Sequence, residues 1–197
     1  TLNAKYIHSS LCLRYLEKYA QGRVKIERME FTINQEKLFI LRELFEARPD
    51  VVGFSSYIWN ADDVLDIAKM LKSVLPSVKI VFGGPEVMYE TAEFFERNPF
   101  VDYLVLGEGE EAFTSLVEAL SENREVNIDG VIGRVEGGRA IIQTIADLTT
   151  IPFPYDEEDM AELEKGIRET CKMTIRTLEI FYEELEKSNL PESVKTA

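Results

Sequence analysis

The chain has 197 residues, 45% hydrophobic and 29% charged, enough apolar material for one domain with an appendage or for two small domains. A formal net charge of −14 argues against DNA, RNA and anionic membrane surfaces as partners, because binding to these rests on Lys and Arg, and it leaves solubility or a basic partner as its meaning. Two distant cysteines, Cys12 and Cys171, are too few for a disulfide scaffold or a cysteine metal cluster, and they suit a reducing compartment.

No apolar run approaches the ~18 residues of a membrane span. The start, Thr1-Leu2-Asn3-Ala4-Lys5, lacks the basic-then-apolar pattern of a secretory signal, so a cytoplasmic location is expected. Only Thr1 and Leu2 precede the turn at Asn3-Ala4-Lys5, so the first strand reads as clipped, with further apolar residues expected ahead of it.

From there the chain alternates β-rich runs with amphipathic helical stretches. Ser9 or Ser10 caps a helix reaching about Ala20, with Leu11, Tyr15, Leu16 and Tyr19 on one face and Gly22 as its stop. Val24, Ile26, Met29 and Phe31 predict a strand. Asn34 then caps a helix that buries Leu38, Leu41, Leu44 and Phe45 and ends at Pro49. Residues 50–58 (DVVGFSSYI) form a nearly continuous apolar strand, the pattern of a strand covered on both faces.

Asn60 caps the next helix, with Val64, Ile67, Ala68, Leu71 and Leu75 inside and Pro76 at its end. KIVF at 79–82 is another buried strand, running into Gly83-Gly84-Pro85. Residues 86–98 contain a helix with Ala92 and Phe95. YLVL at 103–106 runs into Gly107-Glu108-Gly109-Glu110, and a helix follows to about Ser121 with Phe113, Leu116, Val117 and Leu120 inside. This rhythm predicts an α/β fold with a doubly wound, mostly parallel sheet of the Rossmann or flavodoxin kind, since parallel neighbours need a crossover.

The remainder differs in character. Residues 130–143 predict a hairpin turning at Glu136-Gly137-Gly138. Residues 149–156 (TTIPFPYD) read as an extended linker. Residues 157–187 read as helical, with Gly166 a potential break and 189–197 a frayed tail. The expected organisation is therefore a domain over 1–125, a hairpin and Pro-rich linker over 126–156, and a helical segment over 157–197.

In open α/β sheets ligands bind beyond the carboxyl ends of the strands. Four segments fall there: 3–8, 55–60, 83–87 and 107–110. Gly83-Gly84 lets a flat ligand approach the backbone, or makes a tight turn. Ser55-Ser56 places hydroxyls at the end of a buried strand, where they need partners, either a ligand or neighbouring backbone. Gly107 to Glu110 sets carboxylates at a helix start, where they suit the helix dipole or line a site. Trp59 either walls the site or packs. His8, the one histidine, is the only candidate imidazole metal ligand and otherwise a structural residue. No Gly-x-Gly-x-x-Gly, phosphate-loop or nucleophile-elbow motif is present.

Taken in order, Leu2-Asn3-Ala4-Lys5-Tyr6-Ile7-His8-Ser9-Ser10-Leu11, Gly53-Phe54-Ser55-Ser56-Tyr57, Val81-Phe82-Gly83-Gly84-Pro85-Glu86, residues 102–110 (DYLVLGEGE) and Ile151-Pro152-Phe153-Pro154-Tyr155-Asp156 resemble a known pattern. It is that of the cobalamin-binding domain of cobalamin-dependent radical S-adenosylmethionine enzymes, whose relatives include anaerobic magnesium-protoporphyrin ester cyclases and methyltransferases. The resemblance covers roughly residues 1–160. It implies cobalamin as cofactor, with the corrin across the strand ends and the nucleotide tail beside the sheet near Ser55, Ser56, Gly83 and Gly84. Gly107, Glu108 and Gly109 would line the far side, with Tyr6, Tyr57, Trp59 and Pro85 also around the cofactor.

Two departures qualify what the resemblance implies. Methionine synthase and the mutases carry Asp-x-His-x-x-Gly, whose histidine ligates cobalt. Here the loop is Asn3-Ala4-Lys5-Tyr6-Ile7-His8 and the histidine is displaced, so water or no lower ligand is expected. The Cys-x-x-x-Cys-x-x-Cys that holds a four-iron cluster is absent. S-adenosylmethionine and the cluster are therefore expected only in a catalytic barrel outside this chain, which reads as a non-catalytic cofactor module. The rival reading is a flavodoxin-like small-molecule-binding or regulatory domain without cobalamin.

Overall fold

The strands form where the apolar runs are densest. The computed structural model describes residues 1–4, 10–135, 137–138, 140–141, 144–145, 147–155, 157, 160, 176 and 179–180. The chain divides into two units, Thr1–Pro154 and Tyr155–Ala197.

The first unit carries seven strands among the described residues. β1 (Leu2–Asn3) pairs in parallel with β2 (Phe31–Thr32). β3 (Val51–Ser55), β4 (Lys79–Gly83) and β5 (Tyr103–Val105) run parallel to one another, and β6 (Val131–Gly133) and β7 (Gly137–Gly138) continue that sheet antiparallel. The helices are α1 (Leu11–Ala20), α2 (Lys37–Ala47), α3 (Ala61–Val74), α4 (Thr91–Arg97) and α5 (Gly109–Ser121). This is the α/β architecture with a mostly parallel sheet that the alternating pattern predicts.

Period-two alternation sorts the strand residues onto two faces. Val52, Phe54, Ile80, Phe82 and Leu104 pack with α2 and α3 through Ile40, Leu44, Val64, Ile67, Ala68 and Leu71. Phe82 is fully buried, and its ring stacks on Phe54 with centroids 5.2 Å apart. Val81, Tyr103 and Val105 pack on the opposite face with Ala112, Leu116 and Ala119 of α5.

Several expectations shift. The strand predicted from Val24 to Phe31 shrinks to Phe31–Thr32, because residues 24–30 find no ladder partner there. Glu36, not Asn34, precedes α2, which turns Ile40 inward and leaves Leu38 71% exposed. Residues 86–98 split into a 3-10 turn at Pro85–Val87 and the short α4, so Phe95 is buried while Ala92 is exposed. The helical reading of 157–187 lies largely outside the described residues; Glu157, Met160, Arg176, Glu179 and Ile180 are described and helical.

Asn60 does something other than cap a helix. It sits at the start of α3, but its side chain makes no capping bond there. Its Nδ2 donates to the Leu2 carbonyl at 2.9 Å and the Ser55 carbonyl at 3.2 Å, and its Oδ1 accepts from the Tyr57 backbone N–H at 2.8 Å. One buried carboxamide thus ties β1 to the end of β3 and shapes the turn that leaves it. Replacing Asn60 with Ala orphans these buried groups and is expected to cost about 1–3 kcal/mol. Asn60→Asp, which turns a carboxylate toward two carbonyls, should cost more. Urea unfolding followed by circular dichroism checks both, and wild-type midpoints would refute the assignment.

Candidate cofactor-binding site

The carboxyl ends of β3, β4 and β5 meet at one edge, and a cleft lies along the sheet there, lined by residues of α1, α2 and α5. The cleft measures about 1420 Å³. It is lined by Val51 to Ser55 of β3, by Lys79, Val81 and Gly83 of β4 and by Tyr103 and Val105 of β5, with Ile40, Leu44 and Ala47 of α2 on the other side of the sheet. Cys12, Leu13 and Leu16 of α1 and Gly109, Phe113, Val117 and Leu120 of α5 also line it. The helix positions expected inside the core on α5 therefore divide. Leu116 is buried in the core; Phe113 and Leu120 pack against that core and, with Val117, also line the cleft.

Gly53 is the telling floor position. A glycine in the middle of an apolar strand weakens it and marks a close approach. Here the residue is exposed within the sheet, and a Cβ on it would lie 3.0 Å from the Phe113 ring. Gly84 has a different reason. Its φ is +103°, and a Cβ would lie 2.5 Å from the Ser56 carbonyl oxygen. Its lack of a side chain is required by the backbone of the neighbouring turn.

Of the residues singled out from sequence, Ser55, Tyr57, Gly83, Gly84, Pro85, Gly107 and Gly109 line the cleft. Ser55 and Ser56 are 7% and 2% exposed, and the Ser56 backbone N–H donates to the Gly83 carbonyl at 2.8 Å, knitting the two strand ends together. Ser56, Trp59 and Glu108 do not line the cleft. Trp59 stacks on Tyr57 outside it, with ring centroids 4.6 Å apart and planes 4° from parallel. The Glu108 carboxylate accepts from the Ile145 backbone N–H, connecting the rim to the segment beyond the hairpin. Tyr6 and His8 lie outside the described residues.

Sequence reasoning missed Gly53, Phe113 and Cys12 as site residues. The glycine inside DVVGFSSYI was the available signal; nothing in the helix pattern separates a cleft-facing Phe113 from a core one. Cys12 sits in the cleft beside Ser55 and Tyr57. Cys12 is exposed, yet desolvation by the cleft walls and the nearby Glu110 push its thiol pKa up, against hydrogen bonds with Tyr57 and Ser55. Burial likewise pushes the Tyr57 phenol up. Both groups are therefore neutral at pH 7, so this end of the cleft presents uncharged polar groups.

Arg23 closes one side. It donates to Glu111 at 2.7 Å and Glu118 at 2.8 Å on α5, and Tyr19 of α1 donates to Glu111 at 2.9 Å. Burial pulls the Glu111 carboxyl upward, but hydrogen bonds from Arg23, Ser115 and Tyr19 outweigh it and hold it below the usual range. The Arg23 hydrogen bond lowers Glu118.

A doubly wound α/β sheet with a polar rim at its strand ends and a long cleft along it defines a cofactor-binding domain. The B12 binding domain family model matches residues 1–117. The chain belongs to the B12-binding domain family.

A cobalamin-dependent radical SAM methyltransferase, TokK, of Streptomyces tokunonensis is 35% identical over 132 residues, 61% of this chain and 19% of that protein. An uncharacterized methyltransferase of Pyrococcus horikoshii is 35% identical over 118 residues, 55% of this chain and 25% of its own length. An anaerobic magnesium-protoporphyrin IX monomethyl ester cyclase of Cereibacter sphaeroides is 32% identical over 97 residues, 48% of this chain and 15% of the cyclase. The chain thus spans about a fifth of the length of such relatives. Among solved structures, the cobalamin-dependent S-adenosylmethionine radical enzyme OxsB, with aqua-cobalamin and S-adenosylmethionine bound, superposes with a TM-score of 0.63. That match has 18% identity and covers 77% of this chain and 21% of OxsB, which shows a shared fold.

Folded carboxylates held below their unfolded pKa stabilise fully above the unfolded value of about 4.3 and lose that contribution as pH falls through the folded one. The Arg23 clamp on α5 should therefore weaken in acid. Arg23→Met is expected to flatten the fall in urea midpoint between about pH 6 and pH 3 relative to wild type. Equal falls in both proteins would show that the clamp contributes nothing.

Proposed function

We propose that this chain is the cobalamin-carrying module of a radical S-adenosylmethionine enzyme, holding the cofactor so that its cobalt faces a catalytic barrel. The carrying observation is the cleft: about 1420 Å³, opening at the strand ends and running along a glycine-marked sheet. It exceeds the ~300–1,000 Å³ of ordinary small-molecule pockets and suits a large cofactor with an extended tail.

The residues present fit that group. The corrin would lie over the rim formed by Ser55, Tyr57, Gly83, Gly84, Pro85, Gly107 and Gly109. The nucleotide tail would descend past Gly53, Gly83 and Val105, against Phe113. Cobalamin, when bound, supplies a cobalt centre suited to carrying a methyl group or tuning a radical reaction. The chain's own residues bind and orient it and shield the tail from water. In the sequence, His8 does not fall where Asp-x-His-x-x-Gly carries its histidine, so we propose that no histidine of this chain holds the cobalt. S-adenosylmethionine and the iron–sulfur cluster would belong to the barrel, and the two cysteines fit the reducing cytoplasm. The substrate class follows the relatives: methyl transfer or porphyrin-ester cyclisation.

The first test is retention of corrin absorption bands after incubation with hydroxocobalamin and desalting, expected near one cofactor per chain. Gly53→Val, which presses methyl groups on the Phe113 ring at an overpacking cost of about 1–3 kcal/mol, should weaken retention at least about tenfold while the chain still folds. Absence of retention by the folded wild type, or undiminished retention by the folded variant, would reject the cleft as the cofactor's seat.

Cys12 offers a second check. In a Cys171→Ser background, its raised thiol pKa predicts slow alkylation by iodoacetamide near pH 8, and bound cobalamin should block the reaction. Unchanged alkylation of the loaded protein would place the cofactor elsewhere.

A further inference from the structure

The sheet is divided along one line. β1 pairs with β2 alone, and β3 has a partner, β4, on one edge only among the described residues. In an extended strand successive residues turn their N–H and C=O to opposite edges. The Lys79 N–H donates to the Asp50 carbonyl at 2.9 Å and the Ser56 N–H to the Gly83 carbonyl at 2.8 Å, so the even-numbered residues of this stretch face β4. Val51, Gly53 and Ser55 therefore turn their backbone groups the other way, and all three line the cleft.

A second open edge lines the same cleft. Residues 24–29 border it and belong to no strand, although they lead directly into β2. The space between these two edges has apolar walls: Ile40 and Leu44 of α2 on one side of the sheet, and Leu16 of α1 with Phe113 and Val117 of α5 on the other. Phe113 and Val117 stay half-buried there. Two strand edges and two helical layers thus surround a space with the surroundings of a single buried strand.

Both ends of that space are marked. At the rim, the Asn60 carboxamide takes the carbonyls of Leu2 and Ser55 and bridges β1 to β3. Further in, the Thr1 amino group donates to the Met29 carbonyl at 3.1 Å and the Phe31 N–H donates to the Thr1 carbonyl at 3.0 Å, which carries the β1–β2 ladder back toward the space. Burial lowers the pKa of that amino group to about 6, so a charge there is poorly solvated.

We propose that the space between residues 24–29 and β3 seats one further β-strand, formed by about five apolar residues leading into Thr1, the length of β3. Leu2 lies opposite Phe31 and Asn3 opposite Thr32, and the same offset sets those residues opposite Lys25 to Met29. The strand gives Val51 and Gly53 ladder partners. It gives residues 24–30 the partner whose lack holds β2 to two residues. It joins the two ladders into one sheet of order β2-β1-β3-β4-β5, a common doubly wound arrangement. Chain continuity with Leu2 and Asn3 delivers it in register, with no loop to close. The strand-end part of the cleft, at Ser55, Gly83, Gly84 and Gly107, stays open beside it, and the inference does not rest on the function proposed above.

The test extends the chain ahead of Thr1 with the probe Lys-Val-Ile-Val-Val-Ile. One control carries Lys-Gly-Ser-Gly-Ser-Gly, and a second carries the apolar probe with proline at its central apolar position, which cannot donate to a ladder. Hydrogen exchange without cofactor is expected to slow by about tenfold or more in peptides covering 24–30 and 50–56 with the apolar probe alone. Peptides covering α4 should be unchanged. If the extended protein associates, the capped probe peptide added to the unextended chain is the deciding arm: protection of both segments is expected, and its absence overturns the proposal.

Equal exchange with all three extensions would overturn it, as would protection by the proline control. Protection of one segment without the other would do the same, since the strand must pair on both edges. Corrin retention is measured on the same proteins. Retention by the glycine–serine control that the apolar extension abolishes would show that the cofactor, and not a strand, owns this space. Retention by the apolar extension supports the strand. Retention by none would defeat the function proposed above, while the exchange result still decides on the strand.

Discussion

The Asn60 carboxamide is the interaction on which the functional edge depends. β1 pairs with β2, β3 pairs with β4, and the two ladders are separate among the described residues. Asn60, 1% exposed, spends both donors on the carbonyls of Leu2 and Ser55 and its acceptor on Tyr57. A buried amide with good partners on three sides is rigid, since any displacement leaves polar groups unpaired away from water. The turn at 55–60, the end of β1 and the start of α3 are thereby placed as one piece. The rim residues Ser55, Ser56 and Tyr57 take their places from that piece, and Gly84 must lack a side chain because the Ser56 carbonyl already fills the space.

The same sheet treats its two faces differently. On one, Phe54, Phe82, Ile80 and Leu104 interlock with α2 and α3 into a dense core. On the other, α5 covers Val81, Tyr103 and Val105, while Gly53 and Gly83 leave floor open between the strands and the helices. Apolar burial on the first face offsets what the open second face forgoes. Polar links brace the open side instead of packing: Arg23 on Glu111 and Glu118, and Glu30 on Asn3 and Ser10. An acidic chain thus keeps some of its basic side chains as internal ties.

Much was legible in the sequence alone. Runs such as KIVF and YLVL can be little else than buried strands, and helix periodicity with breakers at Gly22, Pro49 and Pro76 sets the βα alternation, because hydrophobic spacing is a local property of the chain. From alternation follows a parallel sheet, and from a parallel sheet an edge at the strand ends; Ser55, Gly83, Gly84 and Gly107, expected there, line the cleft. What lay beyond local pattern needed three dimensions. Leu38 and Phe113 carry the same apolar signal as Ile40 and Leu116, yet the first pair is not buried in the core while the second pair is. Asn60 has the identity of a helix cap and serves two strands instead. Gly84 reads equally as a ligand approach or a tight turn, and the fold favours the turn, since the Ser56 carbonyl fills the space of a side chain. Glu30 looks like one charge among 36 acidic residues until the fold brings it to Asn3 and Ser10. The sequence by itself determined the order of most strands and helices and the parallel course of the sheet, since those follow from periodicity along one chain. Only the tertiary structure decided which apolar residues leave a cleft and which polar ones close the rim, because those depend on contacts between segments that periodicity does not encode.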